Sequence, residues 1–326
     1  MMKSFNYTQP KSLKEASLII KKKPHEAVFF AGGTDVLGLL KAGLIGPDEV
    51  VNLKSIPDLK YIRYTAGKGL QIGALTGLGE IAENSVIKEK YNILRQAALE
   101  VASPQLRNLA TLGGNLCQRP RCWYFREDFN CLRKGGDMCY AFEGQNKYHC
   151  VTGGGPCFIV HPSDMAVALM ALEAKLTIYG DKKTRTVPIK DFFVLPEDDY
   201  RHENILKDGE IVTEITVPEL PEGSKTSYLK FKERGVWDFA VVSVGAVLRK
   251  AGDKIASGKL SFGGVAPIPW MDEALNAKLV GLAANEDSIA LVASEVLKKA
   301  EALSKNAYKI PLLRNLTKRI LLEMAD

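Results

Sequence analysis

The chain has 326 residues, of which 46% are hydrophobic and 25% are charged, and its net charge at pH 7 is +6. This composition is typical of a globular protein, and it excludes a disordered, collagen-like or coiled-coil chain, a membrane span of about 20 apolar residues and a strongly basic nucleic-acid-binding surface. The N-terminus lacks the apolar stretch of a secretory signal, so we expect a cytoplasmic location.

Apolar periodicity predicts helices and strands in alternation before residue 218 and a different order after it. Before it, the pattern predicts helices at 12–16, 36–42, 93–101 and 164–174 and strands at 26–30, 49–53, 69–74 and 176–179. Residues 218–224 are rich in Pro, Glu, Gly and Ser, which indicates a domain boundary. Beyond it come strands at 227–231, 240–248 and 259–265 and helices at 289–304 and 312–324. Strands followed by helices predict an α+β C-terminal domain with an antiparallel sheet.

All six cysteines lie between positions 117 and 157, and no cysteine occurs elsewhere: Cys117, Cys122, Cys131, Cys139, Cys150 and Cys157. Three kinds of site could explain this clustering of cysteines: disulfides, a zinc site or an iron–sulfur cluster. Disulfides need an oxidising compartment, which the absence of a signal peptide argues against. Zinc sites usually contain closely spaced cysteine pairs, and only Cys117 and Cys122 come near that spacing. The wide, irregular gaps are compatible with an iron–sulfur cluster, which the spacing favours without excluding zinc or disulfides.

Two Gly-Gly turns follow predicted secondary structure. Ala31-Gly32-Gly33-Thr34-Asp35 joins a strand to a helix, and Ala110-Thr111-Leu112-Gly113-Gly114-Asn115 runs into the cysteine region. Glycine lets backbone N–H groups approach an anion such as phosphate, although either pair could simply form a tight turn. Neither turn matches the usual dinucleotide or P-loop motif.

The stretch Arg107-Asn108-Leu109-Ala110-Thr111-Leu112-Gly113-Gly114-Asn115 resembles a hallmark of the FAD-binding subunits of the molybdenum hydroxylases, the xanthine dehydrogenase, carbon monoxide dehydrogenase and aldehyde oxidoreductase relatives. The earlier glycine turn lies where that family has its first pyrophosphate loop. Later segments around Tyr228, Asp238 and Gly264 resemble its C-terminal domain, so the resemblance covers nearly the whole chain.

The resemblance implies an α+β fold with a two-subdomain, PCMH-type FAD-binding domain at 1–220 (subdomains 1–58 and 59–220) and a CO dehydrogenase flavoprotein-like domain at 224–326. It implies an electron-transfer subunit of a molybdopterin-dependent complex. The partners would be a large molybdopterin-binding subunit, a small [2Fe-2S] subunit and an external electron carrier. No residue here would act on the organic substrate. The competing interpretations are a stand-alone flavin oxidoreductase with its own substrate pocket and a zinc-stabilised binding protein.

The resemblance also implies a set of FAD contacts. Backbone N–H groups of the first loop would hold the pyrophosphate: Phe29, Phe30, Ala31, Gly32, Gly33, Thr34, Asp35 and Val36. Thr111, Gly114 and Asn115 would form the second wall. Asp164 would bond the adenosine portion, Ile211 or Val212 would contact the isoalloxazine ring, and Lys230 would lie near the polar edge of the flavin.

The cysteine region departs from the common family pattern, because an insertion at about 117–160 separates Asn115 from His161-Pro162-Ser163-Asp164. It resembles the 4-hydroxybenzoyl-CoA reductase and aldehyde oxidoreductase subunits that carry an additional [4Fe-4S] cluster. By that resemblance the cluster ligands are Cys122, Cys131, Cys139 and Cys157, and Cys117 and Cys150 are surplus.

Overall fold

The computed structural model describes residues 2–180 and 183–325 of the chain. Its first part contains β1 (Asn6–Thr8), α1 (Leu13–Lys22), β2 (Ala27–Phe30), α2 (Val36–Lys41) and β3 (Glu49–Asn52). The three strands form a parallel sheet in the order β1-β3-β2. The Ser12 hydroxyl caps α1 by accepting a hydrogen bond from the backbone of Glu15. Residues 31–35 leave β2 at the carboxyl edge of this sheet, where ligands commonly bind.

The middle of the chain builds a second sheet and most of the helices. Its elements are β4 (Ile62–Thr65), β5 (Gly69–Gly73), α3 (Leu78–Glu83), α4 (Ser85–Lys90), α5 (Asn92–Glu100), α6 (Pro104–Leu109), α7 (Leu112–Leu116), α8 (Trp123–Arg126), α9 (Asp164–Ala171), β6 (Lys175–Gly180), β7 (Lys183–Pro188) and β8 (Ile211–Val217). The sheet is antiparallel, in the order β4-β5-β8-β6-β7.

Helix α9 is buried along its whole length, which explains why its sequence is apolar on every side. It packs between α5 and two strands of the C-terminal sheet, at 242–251 and 254–263. The buried helix therefore ties the middle of the chain to the C-terminal part and places Asp164, its first residue, in the interior.

The last part contains β9 (Ser224–Phe231), β10 (Val242–Ala251), β11 (Lys254–Gly263), α10 (Glu273–Leu279), α11 (Glu286–Glu295) and α12 (Lys309–Ala325). Its sheet is antiparallel, in the order β11-β10-β9, as the sequence predicts. Helix α11 ends nine residues before the predicted position, because the backbone turns at Val296 and Leu297 has a positive φ of 54°. Helix α10 was not predicted from the sequence.

The cysteine insertion is mostly irregular, with α8 and one short 3-10 turn at Leu132–Lys134 as its regular structure. Four of its residues pack with Leu39 of α2 in a small apolar cluster: Tyr124, Phe125, Cys131 and Ala141. No helix in the described ranges is long and apolar enough to cross a membrane.

Candidate functional site

The two glycine loops face each other across one cavity of about 310 Å³, which we call the glycine cleft. Most of the predicted FAD contacts line it: Phe29, Ala31, Gly32, Gly33, Thr34, Asp35, Val36, Thr111, Gly114, Ile211 and Val212. Four residues of the predicted set do not: Phe30 and Asn115, which lie behind its walls, and Asp164 and Lys230, which lie elsewhere in the structure. The Phe30 ring packs edge-on against Tyr7, with the ring centroids 6.2 Å apart. Asn115 is buried and accepts a hydrogen bond from the Ser163 hydroxyl at 2.5 Å. Phe30 and Asn115 therefore support the walls of the cleft from behind.

The first loop presents a run of free backbone donors. Within residues 2–180 and 183–325, no acceptor binds the backbone N–H groups of the four residues from Gly32 to Asp35. Gly33 has a φ of +74°, which L-residues rarely adopt, and a Cβ at Gly32 would lie 2.1 Å from the Leu109 carbonyl oxygen. Both glycines are thus required by the turn and by its packing against the second loop. Successive free N–H groups in such a turn form a concave anion-binding surface.

The second loop reaches the cleft through Gly114. The Thr111 hydroxyl caps α7 by accepting from the Gly114 N–H at 3.3 Å. The N–H of Gly113 is already bound by the Ala74 carbonyl at 2.8 Å, and a Cβ at Gly113 would lie 2.9 Å from the Ala74 side chain. Gly114 is exposed, and a Cβ there would meet only the Thr111 hydroxyl, at 2.9 Å. The open side of Gly114 therefore faces the cleft rather than the protein core.

Asp35 links the first loop to the start of the cysteine insertion. Its carboxylate accepts from the Arg119 backbone N–H at 2.8 Å and pairs with Arg121 at 2.5 Å and Arg126 at 2.9 Å. Two guanidinium groups thus offset the negative charge of this carboxylate. An aspartate so neutralised can border a phosphate-binding loop without repelling its ligand.

A second cavity, of about 390 Å³, lies where the insertion meets the C-terminal domain, and we call it the histidine cavity. Seven buried side-chain atoms among the described residues lack a hydrogen-bond partner, and four of them belong to residues lining this cavity: Arg121 Nε, His149 Nδ1, His161 Nε2 and Ser243 Oγ. A polar ligand that entered this cavity would therefore meet buried donors and acceptors on its wall.

The two histidines of this cavity are neutral near pH 7. Burial lowers the pKa of His149 to about 4 and that of His161 to about 3. A neutral imidazole has one donor and one acceptor nitrogen, so the cavity can meet both kinds of hydrogen-bonding group on a ligand.

Asp164 and Lys230 form a buried ion pair beside the histidine cavity. Lys230 Nζ lies 2.8 Å from Asp164 Oδ2 and also donates to the Glu100 carbonyl at 3.0 Å, and the Tyr228 hydroxyl donates to Asp164 Oδ1 at 2.5 Å. Burial raises the pKa of Asp164, and the neighbouring Lys230 opposes that rise. The sequence suggested separate roles for Asp164 at the adenosine and Lys230 at the flavin edge. The structure places the two side chains in contact with each other, and their roles at the adenosine and at the flavin stay predictions.

One segment of the insertion connects the two cavities. Residues 117–119 line the glycine cleft, and residues 121–123 line the histidine cavity. Arg121 adds a further link, because it contacts Asp35 at the cleft while its own Nε belongs to the group of unpaired atoms.

The cysteines have free thiols, and the fold gathers most of them in one place. Cys122 and Cys139 pack against the apolar cluster that contains Cys131. Interaction with the neighbouring Cys157 thiol lowers the pKa of Cys139. Cys117 is separate, because it lines the glycine cleft. Within the described ranges, no three His, Cys, Asp or Glu side chains are already arranged as ligands of a metal ion.

Comparison with known proteins matches both halves of the chain to one family. Residues 3–220 match the family described as the FAD binding domain in molybdopterin dehydrogenase, and residues 227–324 match the CO dehydrogenase flavoprotein C-terminal domain. The chain is 35% identical to the aldehyde oxidoreductase FAD-binding subunit PaoB of Escherichia coli, over 99% of this chain and 98% of that protein. The chain belongs to the FAD-binding subunits of the molybdenum hydroxylase family.

Other relatives of this FAD-binding subunit support the same family. The carbon monoxide dehydrogenase medium chain of Hydrogenophaga pseudoflava is 26% identical over 97% of this chain and 96% of its own length. The solved carbon monoxide dehydrogenase from that organism covers 98% of this chain with a TM-score of 0.78 at 24% identity, and quinoline 2-oxidoreductase from Pseudomonas putida 86 gives 0.77 at 22% identity over the whole chain. These structures confirm the predicted fold class, and the relatives make this chain an oxidoreductase subunit that binds FAD.

The histidine cavity of this FAD-binding subunit could not be predicted from the sequence. His149, His161, Arg121 and Ser243 line the histidine cavity, yet their sequence positions follow no ligand spacing. The one available signal was the proximity of His161 to Asp164. The rest come together only through the contact between the insertion and the C-terminal domain.

Proposed function

We propose that this subunit binds FAD across the glycine cleft and the histidine cavity and transfers electrons between FAD, iron–sulfur clusters and an external carrier. The observation that carries the proposal is the run of four backbone N–H groups from Gly32 to Asp35, which have no acceptor among the described residues and lie across the cleft from Gly114. A dinucleotide pyrophosphate has the negative oxygens that such donors bind.

The two cavities would receive different parts of FAD. The glycine loops would hold the pyrophosphate, with Thr111 beside it, and Ile211 or Val212, on the wall of the same cleft, would contact the isoalloxazine ring. The unpaired donors and acceptors of the histidine cavity would meet the polar edge of the isoalloxazine ring. Lys230 would lie near the polar edge of the same ring, with its charge offset by the Asp164 carboxylate at 2.8 Å. Bound FAD supplies the chemistry, since it exchanges electrons singly with clusters and in pairs with hydride carriers.

The insertion would hold one [4Fe-4S] cluster through Cys122, Cys131, Cys139 and Cys157. Support comes from the chemistry of the donor set, because four free thiols lie in and around one apolar cluster away from Cys117. Thiolates are the usual ligands of such clusters. The Trp123 ring packs edge-on against the rings of His149, at a centroid distance of 5.3 Å, and Tyr148, at 5.9 Å, and would limit the access of water to the cluster.

The organisation of the proposed complex follows the family. The chain would divide into an FAD-binding domain at 1–220, with subdomains at 1–58 and 59–220, and a C-terminal domain at 224–326. A large molybdopterin-binding subunit would carry out the substrate chemistry, and a small [2Fe-2S] subunit would connect it to this chain. The alternative of a stand-alone flavin oxidoreductase predicts turnover without those partners.

Cofactor analysis of the anaerobically purified full chain tests the proposal. We expect one FAD per chain, with about four iron and four sulfide. The isolated chain should accept electrons from a chemical reductant yet fail to oxidise aldehydes or purines without partner subunits. A flavin-free chain would refute FAD binding, and stoichiometric zinc without iron would refute the cluster. Turnover by the isolated chain would favour the stand-alone alternative.

A further inference from the structure

A buried lysine of the C-terminal domain touches the cysteine insertion. Lys309 is the first residue of α12, and its side chain is completely shielded from solvent. Its Nζ donates to the carbonyl oxygens of Tyr148, at 2.8 Å, and Gly264, at 2.7 Å. A lysine ammonium has three N–H donors, and within residues 2–180 and 183–325 no acceptor binds the third and no carboxylate pairs with the charge.

The positive charge of Lys309 is energetically unfavourable in its buried position. An ammonium removed from water is strongly unfavourable unless an anion compensates it. Burial lowers the pKa of Lys309 to about 7, and Cys150 is the one group that opposes this effect. The surroundings of the lysine therefore lack a negative charge that its position in the fold would require.

The segment that contains Lys309 makes further hydrogen bonds to the insertion. The Asn306 amide donates to the carbonyl oxygens of His149, at 3.1 Å, and Cys150, at 2.9 Å. Together with the bond from Lys309 to Tyr148, three consecutive carbonyls of the insertion are fixed by two side chains. His149 in turn lies with its Nε2 3.2 Å from Cys122 Sγ. The buried cation is thus bound to the same short segment whose His149 contacts Cys122.

We propose that Lys309 is the counter-cation of the anionic group held by the cysteine insertion and that it raises the reduction potential of that group. The inference rests on the proposed [4Fe-4S] cluster. A cluster with four thiolate ligands is anionic, and one-electron reduction adds one negative charge without making or breaking a bond to the protein. A fixed positive charge in a poorly solvated region stabilises the more negative, reduced state more than the oxidised state.

The test replaces Lys309 in the full chain and measures the midpoint potential of the cluster. Lys309→Met keeps the length of the side chain and removes its charge. Lys305→Met is the matched control, because Lys305 belongs to the same segment and has an exposed side chain. Anaerobic titration with dithionite, followed by electron paramagnetic resonance, gives the reduced fraction at each potential. We expect Lys309→Met to lower the ratio of reduced to oxidised cluster at least tenfold at a fixed potential, a shift of about 59 mV for a one-electron couple.

The outcomes separate this inference from the proposed function. Wild-type chain without iron would refute the cluster itself and remove the basis of the inference. Full iron content in both variants with equal midpoint potentials would overturn the role of Lys309 and leave the cluster intact. Should Lys309→Met not fold, Lys309→Gln carries the same prediction, since its amide can still donate a hydrogen bond and it lacks the charge.

Thermal stability gives a second readout that a purely structural lysine would not produce. In the iron-free Cys131→Ser background, removing the uncompensated charge with Lys309→Met should raise the melting temperature. In the iron-loaded chain the same change should lower it. A decrease in both backgrounds would mean that Lys309 only fills space and holds carbonyls.

Discussion

Replacing Gly114 with alanine should weaken FAD binding while leaving the stability of the fold nearly unchanged. Gly114 is the third residue of α7, it is exposed, and its backbone needs no positive φ. Alanine is about 1 kcal/mol more favourable than glycine inside a helix. The added Cβ would lie 2.9 Å from the Thr111 hydroxyl, so we expect the cap to weaken by about 1 kcal/mol. These effects nearly cancel, and the stability of the FAD-free chain should change by less than about 1 kcal/mol.

The effect on FAD binding should be much larger. The Cβ would occupy the open side of Gly114, where we propose that the pyrophosphate approaches. A pyrophosphate held away by this Cβ would lose at least one charge-assisted hydrogen bond to the first loop, at about 1.5–3 kcal/mol, which corresponds to an increase in Kd of about ten- to hundredfold. Gly33 is a poorer position for this test, because a Cβ there would also lie 2.6 Å from the Phe30 ring and adopt a strained φ.

The assay is titration of the FAD-free full chain with FAD, followed by flavin fluorescence, together with a melting curve. Gly38→Ala is the matched control, because Gly38 is also an exposed helical glycine, lines neither cavity, and its Cβ would lie 3.9 Å from the nearest atom, on Arg126. We expect wild-type affinity for Gly38→Ala and weakened affinity for Gly114→Ala at similar melting temperatures. Equal affinity in both variants would show that the pyrophosphate does not approach Gly114.

Three further predictions follow from the site. Cys131→Ser should abolish or convert the cluster while Cys150→Ser leaves iron content unchanged, because serine oxygen poorly replaces thiolate; the reverse result in iron analysis would mean that the ligand set is misassigned. Lys230→Met should destabilise the chain by about 3–5 kcal/mol by leaving Asp164 buried and unpaired, whereas adding Asp164→Asn should restore part of that loss; additive losses in denaturant unfolding would contradict the ion pair. His161 has a folded-state pKa lowered by burial to about 3 from 6.5, so its contribution to stability is present above pH 6.5 and is lost as the pH falls towards 3, by up to about 1.4 kcal/mol per pH unit. His161→Gln should therefore flatten the pH dependence of the FAD-free chain over that range, and identical slopes in both proteins would show that His161 does not titrate this way.

The sequence by itself determined the features that depend on local physics. Apolar periodicity predicted the strand at 26–30 and the helix that opens at Asp164, and the order of elements after residue 218 predicted the antiparallel C-terminal sheet. The glycine turns marked the loops of the cleft, because positive φ and close packing restrict the residue type directly. The confinement of the cysteines to one segment was likewise visible without a structure.

Only the tertiary structure decided which of these residues meet. Asp164 and Lys230 are 66 residues apart in sequence, and α9 and β9 bring their side chains to 2.8 Å. Lys309 looks like an ordinary helix lysine in the sequence, and burial against Tyr148 and Gly264 makes it a fixed interior charge. Burial and ion pairing depend on the distance between atoms and on the exclusion of water, and neither quantity follows from the spacing of residues along the chain.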